Sequence, residues 1–435
     1  MFLEKEGKLI YSYDGETVCI EAWGKDALRV RATKNRSFTG RDWALEAKDA
    51  HAGEVEIFED PSAKGGAFAN MYEGTDTSYG KITNGKLHAV IDSGSVITFY
   101  HEDGRVLLKE HFRRLRDEES MPLNIMGREY SNGVGDNFRI VARFVARKGE
   151  KIFGMGQYQQ HELDLKGCML ELAQRNSQVS VPFYLSSIGY GFLWNNPGVG
   201  QVMFANNGTE WVTESGKEID YLVIAGDTPA EIEENYMTLT GKPPMMPEYG
   251  MGFWQCKLRY WNQEQLLSVA RKYKELGVPL DVIVVDFFHW TKQGEFKFDP
   301  KYWPDVPGMC RELKEMGIQV VVSVWPTVDI YSENFEEMKE KGYLVRTEHG
   351  VPLTMLCGGN EVFFDATNPD ARTYVWEKIK KNYYDQGAKL FWLDVAEPEY
   401  SVYDFKNYRY QLGSVQEVGN IYPKYYLKAF YDGMT

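Results

Sequence analysis

The chain has 435 residues, enough for two or three domains of about 150 residues each. Its hydrophobic share of 43% and charged share of 26% are typical of soluble globular proteins. A net charge of −14 argues against nucleic acid or an anionic membrane as a partner, and no apolar run approaches the ~20 residues of a membrane span. An uncharged substrate is more compatible with this negative net charge than an anionic one.

The cysteines form neither a CxxC pair nor a zinc-like spacing with histidine. Five are scattered along the chain: Cys19, Cys168, Cys256, Cys310 and Cys357. An odd, dispersed set is typical of reduced thiols, so we expect a cytoplasmic protein without a metal site. The N-terminal residues show no basic segment followed by an apolar one, so no secretory signal is expected.

Residues 1 to about 240 consist of short runs of β-forming residues separated by Gly and Asp turn signals. Val18–Trp23 and Ala27–Ala32 are early examples, and Gly189–Trp194 is a later one. No long helical period appears before Ala230. This pattern predicts an antiparallel β-sandwich.

A helix is predicted to follow this β-rich region. Thr228 can cap its first turn, and Pro229 occupies a position where proline is favoured. Gly241–Pro244 then stops the helix. We therefore place the domain boundary there, with a sandwich domain at 1–243 and a second domain at 244–435.

From Met246 onward, strands and helices alternate in four units. The predicted strands are Gly252–Gln255, Leu280–Asp286, Ile318–Trp325 and Lys389–Asp394, and the predicted helices lie near Gln263–Leu276, Pro307–Met316, Pro369–Asp385 and Tyr422–Tyr431. Apolar, buried strands joined by helices indicate a parallel sheet. A doubly wound sheet calls for a Gly-rich turn after the first strand, which Cys256–Tyr260 does not supply. We therefore prefer the first half of a (β/α)8 barrel.

Three of these strands end in residues that suit catalysis. Asp286 ends the second, Trp325 ends the third, and Asp394 ends the fourth with Trp392 on the same strand face. Active sites of β/α barrels lie at this end of the strands. Carboxylates beside aromatic rings suit glycoside hydrolysis, in which one carboxylate attacks the sugar and an acid protonates the leaving oxygen. An aspartate that caps the next loop or helix is the structural alternative.

Nearby polar residues are weaker candidates. His289 could contact substrate, but a lone histidine is more often structural. Glu397 could bind sugar or anchor its loop, and Glu399 is expected to anchor it. Asp365 is expected to position the helix that follows it.

Four segments resemble motifs of glycoside hydrolase family 31, the retaining α-glucosidases and α-xylosidases. They are Phe153–Gln157, Gly189–Asn196, Gly252–Cys256 and Phe391–Asp394 with its following Glu397-Pro398. The resemblance extends over nearly the whole chain. It implies a sandwich of the galactose-mutarotase-like type ahead of a (β/α)8 barrel, an oligosaccharide substrate, and no metal or other cofactor.

The same resemblance implies roles for individual residues. Asp394 would be the nucleophile that forms the glycosyl-enzyme, and Trp392 would line the −1 subsite. Asp286 would bind sugar hydroxyl groups there, and Trp325 would lie close by.

The segment after Asp286 bears on specificity. Family α-glucosidases commonly show Asp-Ile-Asp where this chain has Asp286, Phe287 and Phe288. The ring of Phe288 should crowd a sugar hydroxymethyl group and leave its hydroxyl unpaired, at a cost of about 1–3 kcal/mol. Xylose lacks that group, so the resemblance favours α-xylosidase. An α-glucosidase, a transglycosylase and a non-catalytic carbohydrate-binding protein stay open as alternatives.

The general acid is expected to lie outside this chain, because the family places it on a later barrel strand than Asp394. Asp404 and Asp432 follow Asp394, but neither resembles the family's acid motif. Half a barrel would expose sheet edges and an apolar interior. A longer enzyme, a companion polypeptide that completes the barrel, a homo-oligomer and a pseudoenzyme are the explanations left open.

Overall fold

The structure is a computed structural model, and it describes residues 1–46, 49–59, 78–111, 113–115, 123–350, 360–400 and 405–435. The chain divides into two compact units, Met1–Ala173 with Ser177–Pro243, and Gln174–Asn176 with Pro244–Thr435. The short segment Gln174–Asn176 thus belongs to the second unit. A single domain boundary placed along the sequence does not predict this exchange. None of the described helices is long and apolar enough to cross a membrane.

The first unit is built almost entirely from strands. In chain order they are β1 (Phe2–Lys5), β2 (Lys8–Tyr13), β3 (Glu16–Trp23), β4 (Ala27–Thr33), β5 (Ala50–His51), β6 (Glu54–Glu59), β7 (Ser78–Asn84), β8 (Leu87–Ile91), β9 (Ile97–His101), β10 (Val106–Lys109), β11 (Arg113–Leu115), β12 (Leu123–Ile125), β13 (Arg128–Asn132), β14 (Phe138–Phe144), β15 (Ile152–Gln157), β16 (Met169–Leu172), β17 (Val179–Ser186), β18 (Tyr190–Trp194), β19 (Gly200–Ala205), β20 (Gly208–Gly216) and β21 (Ile219–Ala225).

These strands pair antiparallel in three larger sheets. The first has the order β1-β2-β3-β4-β21-β18-β17-β15, with β5 paired to β3. The second has the order β10-β9-β8-β7-β6, and the third β13-β14-β20-β19-β16. Strands β11 and β12 form a separate pair. The prediction of an antiparallel, β-rich N-terminal domain is confirmed.

The main core of this unit draws on all three larger sheets. Ile20 on β3, Ala89 on β8 and Trp211 on β20 are fully buried in one apolar cluster. Along β8, buried and half-buried residues alternate, as a strand with one face on a core requires. Apolar burial of this kind is the main free energy that holds the sheets together.

A helix covers the opposite face of the first sheet. Helix α1 (Pro229–Thr240) buries Ile232 and Leu239 against residues of β21. The Thr228 side chain accepts a hydrogen bond from the backbone of Glu231 at the start of the helix, as the sequence predicts.

The second unit alternates helices and strands. Its elements are β22 (Trp254–Gln255), α2 (Gln263–Glu275), β23 (Val282–Val285), α3 (Val306–Glu315), β24 (Gln319–Val324), β25 (Thr327–Asp329), α4 (Phe335–Glu340), β26 (Arg346–Thr347), β27 (Glu361–Phe363), α5 (Pro369–Asn382), β28 (Leu390–Leu393), β29 (Tyr408–Arg409), α6 (Val415–Val418) and α7 (Tyr422–Met434), with short 3-10 helices at Glu248–Met251, Tyr384–Gln386 and Gly419–Ile421.

Four of these strands form a parallel sheet in the order β22-β23-β24-β28. They are the four strands that the sequence predicts, and α2, α3, α5 and α7 begin and end within a few residues of the predicted helices. Helix α4 and the antiparallel pairs β25–β27 and β26–β29 were not predicted. They lie in the segments that join β24 to α5 and β28 to α7.

Two details of the predicted sheet are wrong. The first strand is only Trp254–Gln255 and follows a 3-10 helix at Glu248–Met251, so the strand begins two residues later than predicted. The strand Leu390–Leu393 is not buried, and Trp392 is 47% exposed. Within the described residues, β28 pairs only with β24, so one of its edges has no neighbouring strand to cover it.

Candidate active site

The carboxylate of Asp394 is held directly after β28 by two N–H donors. Its Oδ2 accepts a hydrogen bond of 3.0 Å from the Trp325 indole, and its Oδ1 accepts one of 2.9 Å from the backbone of Val395. The backbone N–H of Asp394 donates to the carbonyl of Val324, which continues the ladder between β28 and β24. These contacts orient the side chain, and because it is only half-buried, a ligand could still reach it.

The residue after Asp394 has a strained backbone. Val395 has a φ of 56°, a left-handed conformation that β-branched residues rarely adopt, and it is buried. Such a conformation costs on the order of 1–3 kcal/mol and persists only where the surroundings enforce it. The N–H of this residue donates to the Asp394 carboxylate, and backbone strain of this kind is frequent at active sites.

A second carboxylate lies at the same rim, which we define as the carboxyl ends of β22, β23, β24 and β28. Asp286 follows β23, and its Oδ1 accepts a hydrogen bond of 2.8 Å from Phe287. Its Oδ2 lies 3.5 Å from the thiol of Cys256, which follows β22. Burial raises the pKa of Asp286, and the negative charge of Asp394 raises it further. The two aspartates therefore interact electrostatically, as the sequence argument requires.

Glu397 adds a third carboxylate to this group. Burial raises its pKa most, and the negative charges of Glu399 and Asp394 raise it further. Its Oε2 is buried and has no hydrogen-bond partner among the described residues, so it is available to a ligand. Glu399 instead accepts a hydrogen bond of 2.7 Å from Asn176 in the same unit, which fits the anchoring role expected of it.

Aromatic rings surround these carboxylates. The Phe287 ring stacks on Trp325 with centroids 5.5 Å apart, and Phe288 contacts both Phe287 and Trp290. Phe288 has a φ of 60° and is 42% exposed, so its ring is presented to solvent and not to a core. Together with the exposed Trp392, this places ring faces where a sugar could stack.

His289 is the one predicted substrate contact that the structure buries. It is 1% exposed, its Nδ1 lies 3.0 Å from the carbonyl oxygen of Asp286, and its Nε2 lies 2.9 Å from the Tyr383 hydroxyl. Burial lowers its pKa to about 4, so the ring is neutral. The Nδ1–H then donates to the carbonyl, and Nε2 accepts from Tyr383. This favours the structural alternative, in which His289 holds the backbone beside Asp286.

The remaining predicted acids lie elsewhere. Asp365 is buried and accepts hydrogen bonds from the backbones of Thr367 and Gln411, just before Asn368 caps α5, which fits its expected positioning role. Asp432 forms an exposed ion pair of 2.8 Å with Lys428 on α7. Asp404 lies outside the described residues.

Two rim residues were missed by the sequence argument. Cys256 and Arg259 follow the first barrel strand, and neither was predicted as a site residue. The rule that found Asp286 and Asp394, that polar residues after a parallel strand gather at one rim, applies to them equally.

Comparison with known proteins agrees with this geometry. The family model of the glycosyl hydrolases family 31 TIM-barrel domain matches residues 243–435. The chain is 45% identical over 443 residues to an uncharacterized family 31 glucosidase, ORF2, of Pseudescherichia vulneris, an alignment that covers 99% of this chain and 80% of that protein. The chain belongs to glycoside hydrolase family 31. The predicted family and the TIM-barrel catalytic domain are thereby confirmed.

Family 31 relatives with more specific names are also similar. Alpha-xylosidase A of Aspergillus niger is 30% identical over 453 residues, covering 96% of this chain and 59% of that protein. The crystal structure of a family 31 alpha-xylosidase from a soil metagenome, complexed with xylose, has a TM-score of 0.91 and 50% identity. The match covers 100% of this chain and 63% of the solved alpha-xylosidase. The chain therefore spans about three-fifths of these two proteins.

Proposed function

We propose that this family 31 chain carries the nucleophile of a retaining α-glycosidase, and that the nucleophile is Asp394. The observation that supports this most is the Asp394 carboxylate itself, oriented by the Trp325 indole and the Val395 backbone. It has no cationic partner among the described residues, and its charge acts on both Asp286 and Glu397. A purely structural aspartate would be expected to form an ion pair that neutralises its charge.

The proposed reaction has two steps. In the first, an Asp394 oxygen bonds to the anomeric carbon while the bond to the leaving oxygen breaks, and an acid gives that oxygen a proton. In the second, water attacks the anomeric carbon, gives its proton to the same group, and releases Asp394. Asp286 would bind sugar hydroxyl groups in both steps, and Trp392 would stack on the ring.

The acid is proposed to come from polypeptide outside this chain. In this proposal, the four parallel strands are the first half of a (β/α)8 barrel, and a longer chain or a companion polypeptide supplies the rest. The galactose-mutarotase-like type of the sandwich and a cytoplasmic location also stay predictions. Among the described cysteines, Cys19, Cys168, Cys256 and Cys310 are free thiols, which is compatible with that location.

The proposed substrate is a terminal α-xyloside of an oligosaccharide. Phe288 supports this choice because its exposed ring stands two residues beyond Asp286, where family α-glucosidases have a second acid. The similarity to a xylosidase solved with xylose points the same way. An α-glucosidase is the second candidate, since the Pseudescherichia relative is named a family 31 glucosidase.

The nucleophile can be tested without the general acid. Fluoride leaves a sugar with little protonation, so a 5-fluoro-α-xylosyl fluoride should transfer its sugar to Asp394 and stall there. Intact mass spectrometry should show one added glycosyl group, and peptide mapping should place it on Asp394. The variant Asp432→Asn, which alters an exposed aspartate on α7, is the matched control and should be labelled like the wild type. Absence of a label, or a label on another residue, contradicts the proposal.

A further inference from the structure

A guanidinium group at the rim lacks a partner in the described part of the chain. Arg259 lies just beyond β22, three residues after the thiol that contacts Asp286. Its Nε is buried without a hydrogen-bond partner among the described residues. Leaving a buried donor unpaired costs free energy, so a group outside the described residues is expected to satisfy it.

Two aromatic rings hold this guanidinium in place. Its Cζ lies 3.9 Å from the ring centroid of Trp261 and 5.5 Å from that of Phe288. A cation–π contact with a single ring is common on protein surfaces and indicates no function by itself. A guanidinium held between two rings with its donors free is different, because a planar fork that is already oriented loses little freedom when it binds.

The position of Arg259 connects it to the proposed nucleophile. The Phe288 ring lies 6.5 Å from the ring of Trp325, whose indole N–H donates to Asp394. Trp261 is 58% exposed and Phe288 42% exposed, so the Arg259 side chain borders a solvent-facing surface. The Arg259 guanidinium is therefore connected to Asp394 through the neighbouring rings of Phe288 and Trp325.

We propose that Arg259 is a sugar-binding residue whose guanidinium, held between Trp261 and Phe288, donates hydrogen bonds to neighbouring hydroxyl groups of the sugar bound beside Asp394. The inference rests on the proposed function and extends it to a residue that the family motifs quoted above do not assign. The donor fork of arginine can bind two adjacent oxygen atoms at once, which suits a pair of sugar hydroxyls.

The test is titration of the full chain with xylose, followed by calorimetry and by tryptophan fluorescence. Arg259→Met keeps a stem of similar length against the two rings and removes every donor. We expect it to weaken xylose binding about tenfold or more, because hydrogen bonds from a charged donor are lost. Arg259→Lys should fall between Met and the wild type. Lys257→Met, an exposed lysine of the same loop, is the matched control and should stay within about twofold.

Each outcome of this test decides between the explanations. If Arg259→Met binds xylose as tightly as the wild type, Arg259 only packs against the rings and the inference is wrong, while labelling of Asp394 still supports the proposed function. If the wild type neither binds xylose nor accepts the label, the proposed function fails and the inference fails with it. If Arg259→Met lowers the melting temperature, the xylose affinity of Arg259→Lys decides the question. An affinity equal to that of the wild type overturns the inference, and an affinity that is lower by several-fold or more supports it.

Discussion

Buried charge is handled differently in the sandwich and at the barrel rim. In the sandwich, Arg29 on β4 is fully buried and donates to both oxygens of Asp220 on β21, at 2.9 and 2.6 Å. It also donates to Asp42 at 2.7 Å, and Asn195 donates to Asp220 at 2.8 Å. Burial raises the pKa of Asp220, and the charge of Arg29 opposes that rise. The charges there are paired and closed to ligands.

At the rim, three carboxylates share a small region without a paired cation among the described residues. Asp394 is oriented by N–H donors, Asp286 by a backbone N–H and a thiol, and one Glu397 oxygen has no partner. Like charges close together are costly unless something else compensates. The sandwich charges therefore stabilise the fold, whereas the rim charges are left for a ligand.

The largest effect should come from the rim. Asp394→Asn keeps an oxygen for the Trp325 indole but removes the nucleophile, so glycosyl transfer from the xylosyl fluoride should slow by about 10⁴-fold or more. The melting temperature should hardly change, since no ion pair is broken. Stopped-time mass spectrometry measures the transfer and thermal unfolding measures the stability. Loss of stability with transfer retained would show that Asp394 serves the fold.

The opposite pattern is expected in the sandwich. Asp220→Ala leaves the Arg29 guanidinium buried with one carboxylate fewer, which should cost about 3–5 kcal/mol of unfolding free energy. Denaturant titration checks this. Asp432→Ala on α7, which breaks the exposed pair with Lys428, is the control and should cost at most about 1 kcal/mol. Similar losses of unfolding free energy in the two variants would mean that the buried pair of Arg29 and Asp220 stabilises the fold no more than the exposed pair does.

An effect of intermediate size should depend on pH. The folded chain holds His289 neutral with a pKa of about 4, below its unfolded value of 6.5. The stability that His289 contributes is therefore present above pH 6.5 and is lost as the pH falls to about 4, for a total of about 3 kcal/mol. In His289→Gln this part of the acid sensitivity should disappear. Melting temperatures of both proteins between pH 7 and pH 4 measure it, and parallel curves would contradict the assignment.

The smallest effect should concern the choice of sugar. Phe288→Asp restores the second acid of family α-glucosidases and opens space for a hydroxymethyl group. The ratio of labelling rates for glucosyl and xylosyl fluorides should rise by about tenfold to a hundredfold, which corresponds to about 1–3 kcal/mol. Phe253→Asp, at another exposed ring of the same unit, is the control and should leave the ratio unchanged. An unchanged ratio in Phe288→Asp would place the discrimination elsewhere.

Much of the fold was predictable because it depends on local patterns. Apolar runs predicted β23, β24 and β28, and the cap and stop signals around α1 placed that helix closely. The length of β22 and the exposure of Trp392 were not predictable. Both depend on which strands lie alongside, and apolar content alone does not reveal the neighbours.

The β/α alternation and the gathering of Asp286, Trp325 and Asp394 at one rim follow from the amino-acid sequence, because the carboxyl ends of parallel strands lie at the same edge of a sheet. Which of the rim side chains have hydrogen-bond partners depends on the folded chain. His289 is closed off by Tyr383, 94 residues away, whereas Glu397 and Arg259 keep unpaired atoms. Hydrogen-bond partners so distant in the chain come together only when the chain folds, so no local pattern records them.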